Sequence, residues 1–326
     1  MLLVGDIGGT NTRLALYEYS DTLKQVCEDR FLSSNYNSLY SAINFFLKKN
    51  GKDIKIKAAS FGIAGPVKDG ICKATNIPWV IDIQALKKEL KIENIFLLND
   101  LQANAYGINA LDEDEFFVIN EGKKNHGNAC ILAAGTGLGE AGMYFDGVMK
   151  IPFATEGGHT DFAPRNEIEI ELFRYLKNIY GHVSYERILS GMGINNLYRF
   201  LVDIKKVKIN KIFDEEIKKH SQPQVVITQK ALNNECTVCV DVFNWFVSLY
   251  GAESSNLALK HFAIGGVYIG GGIAPKILNF FKNKNFMNAF IDKGRFSNLV
   301  NDIPVKLILN ERATLLGAAY FAFINR

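Results

Sequence analysis

Three glycine-rich turns, each entered from an apolar stretch, are the residues of this 326-residue chain whose types and spacing first suggest chemistry. They are Asp6-Ile7-Gly8-Gly9-Thr10-Asn11, Gly135-Thr136-Gly137-Leu138-Gly139 and Gly270-Gly271-Gly272. Lacking a Cβ, glycine lets backbone N–H groups close on an anion and adopt positive φ, so each turn is a candidate cradle for phosphate oxygens. One such turn would mean little, because any tight turn uses glycine. Three, each carried by a strand, are hard to explain structurally.

Two familiar nucleotide motifs are excluded. A Walker A loop needs glycine followed by Lys-Ser or Lys-Thr, which does not occur. The dinucleotide fingerprint needs its glycines to open a helix, whereas Arg13-Leu14-Ala15-Leu16 continues extended. A strand–turn–strand with an acid ahead of paired glycines suits a different task. The amides and hydroxyls of the hairpin face the β- and γ-phosphates of a nucleotide, and Asp6 faces a Mg²⁺ ion. A turn-capping carboxylate is the alternative reading of Asp6. A second candidate is Asn99-Asp100, where an apolar stretch ends and a helix begins. Strand ends in open α/β sheets are where ligands bind, but Asn or Asp there is also an ordinary helix cap. Pattern alone leaves both readings open.

The elements that must position these residues alternate in type. Strands are expected at Leu2–Val4, Leu14–Tyr19, Ala58–Ile63, Ile95–Leu98, Ala129–Ala133, Val267–Ile269 and Val305–Leu309. Helical spacing of apolar residues marks Asn37–Asn50, Ile83–Leu90, residues 166–180, 184–201 and 238–260, and Thr314–Phe323. Asp69-Gly70 signals a tight hairpin, and 203–235 is a polar mixture of helix and loop. Strand and helix alternate from end to end, so the class is α/β. The boundary falls near residue 110, giving domains over 1–110 and 111–326, with the last helix, near 311–326, packing back on the first.

Composition removes several classes of function. The net charge is 37 − 34 = +3, and the lysine pairs (Lys48-Lys49, Lys205-Lys206, Lys218-Lys219) have acids nearby. They read as solvated faces, not as a nucleic-acid stripe. The uncharged apolar run Phe262–Pro275 is too short to span a bilayer and is broken by glycines. Asp6 interrupts the N-terminus before a signal-peptide core could form. Five cysteines argue against a secreted disulfide framework and for the reducing cytoplasm. Cys236-x-x-Cys239 lacks a second ligand pair at zinc spacing and heads an apolar helix, so small core residues are the simpler reading.

Taken together, the three glycine turns resemble the phosphate-1, phosphate-2 and adenosine motifs of the sugar kinase/actin/heat-shock ATPase superfamily. Within it the chain is similar to the bacterial glucokinases of the proteobacterial type. The matching stretches include Gly5-Asp-Ile-Gly-Gly-Thr-Asn, Asn76-Ile-Pro-Trp, Leu98-Asn-Asp, Gly135-Thr-Gly-Leu-Gly, Ala154-Thr-Glu-Gly-Gly-His-Thr-Asp-Phe-Ala-Pro, Tyr185-Glu-Arg-Ile-Leu-Ser-Gly, Gly270-Gly-Gly-Ile-Ala-Pro and Asp292-Lys-Gly-Arg-Phe. The resemblance implies two ribonuclease H-like (actin-like ATPase) α/β domains with a cleft between them. It implies ATP-dependent phosphorylation of D-glucose at its 6-hydroxyl, with Mg²⁺ as cofactor and a homodimer as the common assembly.

The resemblance also assigns roles residue by residue. Asp100 becomes the general base and Asn99 a sugar-hydroxyl ligand. Glu156, His159 and Glu186 join them as hydroxyl ligands, with Asn76 a weaker candidate. Asp6, Gly8, Gly9, Thr10, Asn11, Gly135, Thr136, Gly137, Gly270, Gly271 and Gly272 fall to ATP, and Asp6 to Mg²⁺, directly or through water. Taken alone, His159 reads as a hydrogen-bonded core histidine and Glu186 as a helix-surface acid. Two departures stand out. Glu140 follows the second glycine turn where the family often has a small apolar residue; repelled by phosphate, its side chain is expected to point away. Met192 replaces a frequent proline. No cysteine follows His159 until Cys236, so no structural zinc is expected. A kinase for another hexose, or a non-catalytic sugar-sensing regulator, are the alternatives. A regulator would need a DNA-binding segment ahead of Asp6, for which there is no room.

Overall fold

In the computed structural model, which describes every residue except Asp21, Lys52, Asp53, Thr75 and Asn76, strands and helices alternate along the chain. The first stretch comprises β1 (Leu2–Ile7), β2 (Asn11–Tyr19), β3 (Leu23–Leu32), α1 (Leu39–Asn50), β4 (Ala58–Ile63), β5 (Val67–Lys68), β6 (Ile71–Lys73), β7 (Val80–Asp82), α2 (Ile83–Leu90), β8 (Asn94–Asn99) and α3 (Asp100–Gly107). Then follow β9 (Phe116–Asn120), β10 (Ala129–Ala134), β11 (Leu138–Phe145), β12 (Lys150–Ala154), α4 (Glu167–Tyr180), α5 (Gly191–Arg199), α6 (Lys211–Lys219), α7 (Pro223–Leu232) and α8 (Thr237–His261). The chain closes with β13 (Val267–Gly270), α9 (Leu278–Phe281), α10 (Asn285–Ile291), α11 (Ser297–Asn301), β14 (Val305–Ile308) and α12 (Ala313–Ile324). Two compact units result. One comprises Met1–Glu115, Val148–Ala154 and Asn310–Arg326; the other comprises Phe116–Gly147 and Thr155–Leu309.

The first unit is built on a sheet of order β3-β2-β1-β4-β8. β2 runs antiparallel to both β1 and β3, whereas β1, β4 and β8 are mutually parallel. The parallel strands are apolar on both faces because helices cover both. Strand alternation sends Leu3, Ile7, Leu14 and Leu16 into one core with Leu39, Ile43 and Phe46 of α1. It sends Leu2, Val4, Ala15 and Tyr17 into another with Leu315, Ala318 and Ala319 of α12. By the same period-two rule Asp6 and Arg13, opposite each other in register, share the α12 face. α3 and α12 cross closely because both carry glycine at the contact. A Cβ on Gly107 would stand 3.1 Å from the Ala313 carbonyl carbon, and one on Gly317 would stand 2.8 Å from that of Ala103. The Asp69-Gly70 turn joins β5 to β6 with both residues at positive φ (52° and 75°), the type I′ geometry suited to a two-residue hairpin.

The second unit repeats the plan. Its sheet runs β11-β10-β13-β14-β9, with β10, β13 and β14 parallel and the outer pairs antiparallel. One continuous core surrounds α8, whose Phe243, Phe246 and Tyr250 are wholly buried. The five cysteines are free, with Cys236 and Cys239 buried at the start of α8. Among the described residues no helix is long and apolar enough to cross a membrane, and no cluster of three or more His, Cys, Asp or Glu side chains is arranged to hold a metal.

Candidate active site

In the first unit the paired glycines form the β1–β2 turn. The Gly8 N–H donates to the Asn11 carbonyl at 2.9 Å, closing the hairpin. Beneath it, the buried Ser33 hydroxyl donates to the Gly8 carbonyl at 2.8 Å and lies 3.0 Å from the Thr12 hydroxyl. The Ser33 N–H also donates to the Thr10 carbonyl at 3.0 Å. Ser33 thus fixes the turn from behind, leaving Thr10 exposed and Gly8, Gly9 and Asn11 half-buried. Nothing near Ser33 in the sequence marks it, because its partners are twenty or more residues away.

Asp6 lies one residue before the end of β1, on the α12 face. Desolvation by the surrounding chain pushes its pKa up to about 6; Arg13 opposes that and the Asp100 charge adds to it. The two carboxylates are therefore electrostatic neighbours, brought together because β1 and α3 share that face. Asp6, a hard oxygen donor whose charge is poorly solvated, fits Mg²⁺. Arg13 itself is steered by a 3.1 Å bond to the Glu311 carbonyl at the entry to α12.

Asn99 and Asp100 sit where β8 passes into α3. The Asn99 side chain caps α3, accepting from the Leu101 N–H at 3.0 Å, and its amide donates to the Gly65 carbonyl at 3.3 Å. Asp100 Oδ1 shares the same Leu101 N–H at 2.8 Å. The helix-cap reading is thus correct for Asn99. Asp100, the first residue of the helix, is half-buried with its orientation fixed by that N–H. Asn76 lies outside the described residues.

In the second unit Gly135–Gly137 turn β10 into β11, with the Gly135 N–H donating to the Gly137 carbonyl at 2.8 Å. The Gly191 N–H, at the start of α5, donates to the Gly135 carbonyl at 2.9 Å. Gly271, at φ 83°, follows β13 where a side chain would strike Ala134; its Cβ would stand 2.8 Å from the Ala134 nitrogen. Tyr250 of α8 ties these two loops together from below. Its hydroxyl accepts from the Ala134 N–H at 3.1 Å and donates to the Leu132 carbonyl at 3.2 Å.

The residues of this unit that the family resemblance assigns to the sugar lie near the first of those loops. Glu156 and His159 bracket a single 3-10 turn, Gly157–His159, and both are exposed. His159 is therefore not the core histidine that its type alone suggests. Glu186 lies in a 3-10 turn, Tyr185–Arg187, not on a regular helix, and is half-buried. Its Oε2 accepts the Leu138 N–H at 3.1 Å, and a Cβ on Gly137 would overlap it. Thr136 is exposed at the tip of the loop. Glu140 is 1% exposed, and its carboxylate lies against Gly157. Met192 accepts a contact from Arg187 at 3.0 Å.

Comparison with known proteins bears on this arrangement as a whole. The glucokinase family model matches residues 3–324. The glucokinase of Nostoc punctiforme is 40% identical over 99% of this chain and 98% of its own length. Among solved structures, a glucokinase from an Antarctic psychrotroph has TM-score 0.87 at 30% identity, over 99% of this chain and 98% of that one. A ROK family glucokinase from Streptomyces griseus, solved with glucose and AMPPNP, shares the fold at TM-score 0.64 and 17% identity, with 99% of each chain covered. Both units thus have the actin-like ATPase fold, and the chain belongs to the glucokinase family.

Proposed function

We propose that the chain is an ATP-dependent glucokinase in which Asp100 takes the proton of the glucose 6-hydroxyl as that oxygen attacks the γ-phosphorus. The O–P bond forms, the bond from the γ-phosphorus to the β,γ-bridging oxygen breaks, and ADP leaves. A free alcohol is a poor nucleophile, so a positioned carboxylate that accepts its proton is the group the step needs most. The observation that carries the reading is the end-to-end match to the glucokinase family, with Asp100 standing at a strand end beside a second carboxylate.

The remaining roles rest on the family resemblance. The Gly8–Asn11 hairpin and the Gly135–Gly137 loop offer backbone N–H groups to phosphate oxygens, and Gly270–Gly272 leaves room for the nucleoside. Asp6 would hold Mg²⁺, directly or through water, and an ion there would supply charge neutralisation to the phosphate oxygens. Asn99, Glu156, His159, Glu186 and Asn76 take sugar hydroxyls. Such hydroxyls donate and accept, and a site built for them rejects analogues that lack one. The enzyme works as a homodimer in the reducing cytoplasm, in keeping with its five free cysteines.

A coupled assay of ADP release over a panel of hexoses, with and without Mg²⁺, tests the reading. Glucose should give the highest kcat/KM and EDTA should abolish turnover. A higher kcat/KM for mannose, fructose or an amino sugar would move the substrate assignment. ADP release unaffected by EDTA would remove the metal.

A further inference from the structure

A buried acid that the mechanism does not use lies directly against the turn assigned to the sugar. Glu140, on β11, is 1% exposed, and neither of its carboxylate oxygens meets a hydrogen-bond partner among the described residues. The space it fills belongs to Gly157. A Cβ built there would overlap Glu140 Oε2 and stand 3.0 Å from its Cβ and Cδ. The main chain fastens the same two segments. Thr155 Oγ1 donates to the Glu140 carbonyl at 2.7 Å, and the Gly157 N–H donates to Thr155 Oγ1 at 3.2 Å. Gly158 is pressed equally close, its would-be Cβ 3.1 Å from that of Leu138. The turn carrying Glu156 and His159 is thus seated on the Glu140 side chain.

We propose that Glu140 is a positioning residue for the sugar: its carboxyl is the wedge that sets the height and tilt of the Glu156–His159 turn. This rests on the assignment of Glu156 and His159 to the sugar, and it adds a residue that resemblance to the family does not supply, since a small apolar residue is common at this position.

The wedge fits as the uncharged acid. α8 faces it with Glu253 and Tyr250, and β10 faces it with Cys130; Lys260 is the one cation acting on it, and Lys260 stands 3.8 Å from the Glu253 carboxylate. Glu253 is further engaged by Asn256 at 2.8 Å, and Asn256 also donates to the Tyr185 hydroxyl at 2.9 Å. Lys293 and Arg165 lie around that network and not at Glu140. Burial and the Glu253 charge together push the Glu140 pKa up to about 8. Above that pH the buried charge has no hydrogen-bond partner among the described residues, and Gly157 of the turn stands against it.

The experiment measures kcat and both KM values for wild type, Glu140→Gln, Glu140→Ala, Gly157→Ala and the Gly157→Ala/Glu140→Ala double variant, with Glu156→Gln in parallel. A wedge predicts that Glu140→Ala and Gly157→Ala each raise glucose KM roughly tenfold or more while ATP KM stays within about twofold. The double variant should recover part of the Gly157→Ala loss, because the added methyl enters the vacated space. Between about pH 7 and about 9.5, wild-type glucose KM should climb and that of Glu140→Gln should stay flat. Equal rises in both KM values, no recovery in the double variant, or the same pH profile in Glu140→Gln would each overturn the proposal. If Glu156→Gln leaves glucose KM unchanged, the sugar-site reading itself fails. If Glu156→Gln raises it while Glu140→Ala does not, only the wedge fails.

Discussion

Single residues in this protein derive their chemistry from what surrounds them. Asp6 is a carboxylate near the end of a buried strand, and its environment, desolvation first, raises its proton affinity. A cation would relieve that penalty. Asp6→Ala should therefore raise the Mg²⁺ concentration needed for half-maximal turnover and lower kcat, while glucose binding measured calorimetrically without nucleotide stays near wild type. Equal losses in glucose affinity and turnover would make Asp6 a structural residue. Glu140 allows a cleaner test, because its pKa is raised from 4.5 to about 8 by folding. Below pH 4.5 both the folded and the unfolded chain hold the proton and the group contributes nothing to pH dependence. From 4.5 to about 8 the unfolded chain ionises first, so the folded state loses relative stability as pH rises; above about 8 the loss is constant. The gain in stability of Glu140→Gln over wild type should follow that curve: absent at pH 4, growing to pH 8, then level. Denaturant melts at a series of pH values measure it, and a pH-independent difference would contradict the assignment.

At the scale of elements, the glycine turns are held by side chains that lie far away in sequence. Tyr250 of α8 reaches the last turn of β10 and bonds both the Ala134 N–H and the Leu132 carbonyl. Removing a hydroxyl so placed leaves a buried N–H without its acceptor, a loss of about 1–3 kcal/mol. Tyr250→Phe should lower Tm and raise ATP KM more than glucose KM; an unchanged Tm would mean that the hydroxyl is dispensable. The sequence made the turns themselves legible, because glycine beside an apolar run has a local cause. It also revealed β1, β4, β8, β10, β13, α4 and α12, which are marked by continuous apolar runs or by apolar residues at helical spacing. It did not reveal β3, which is an edge strand with mostly exposed and half-buried residues, nor the role of Ser33 that follows it. The expected helix over 184–201 is a 3-10 turn and then α5, because Ser190 caps the helix by accepting the Gly193 N–H at 3.1 Å. That break lets Glu186 reach the Leu138 N–H, which a continuous helix would not allow.

For the whole molecule, the same four-strand arrangement appears twice, as β2-β1-β4-β8 and as β11-β10-β13-β14, and each has a glycine turn between its antiparallel pair. The reading of Asn99-Asp100 shows where sequence stops being informative. A cap and a catalytic base call for the same residue types at the same place, and here Asn99 is the cap, while Asp100 shares its N–H. Chemistry must decide the role of Asp100. Asn is nearly isosteric with Asp and as good at a helix start, but it cannot take a proton. Turnover of purified Asp100→Asn at saturating glucose and Mg·ATP is the most direct test of the account. The account predicts a folded protein that binds glucose within about tenfold of wild type and loses roughly 10²–10⁴ in kcat. Turnover within a few-fold of wild type would contradict it.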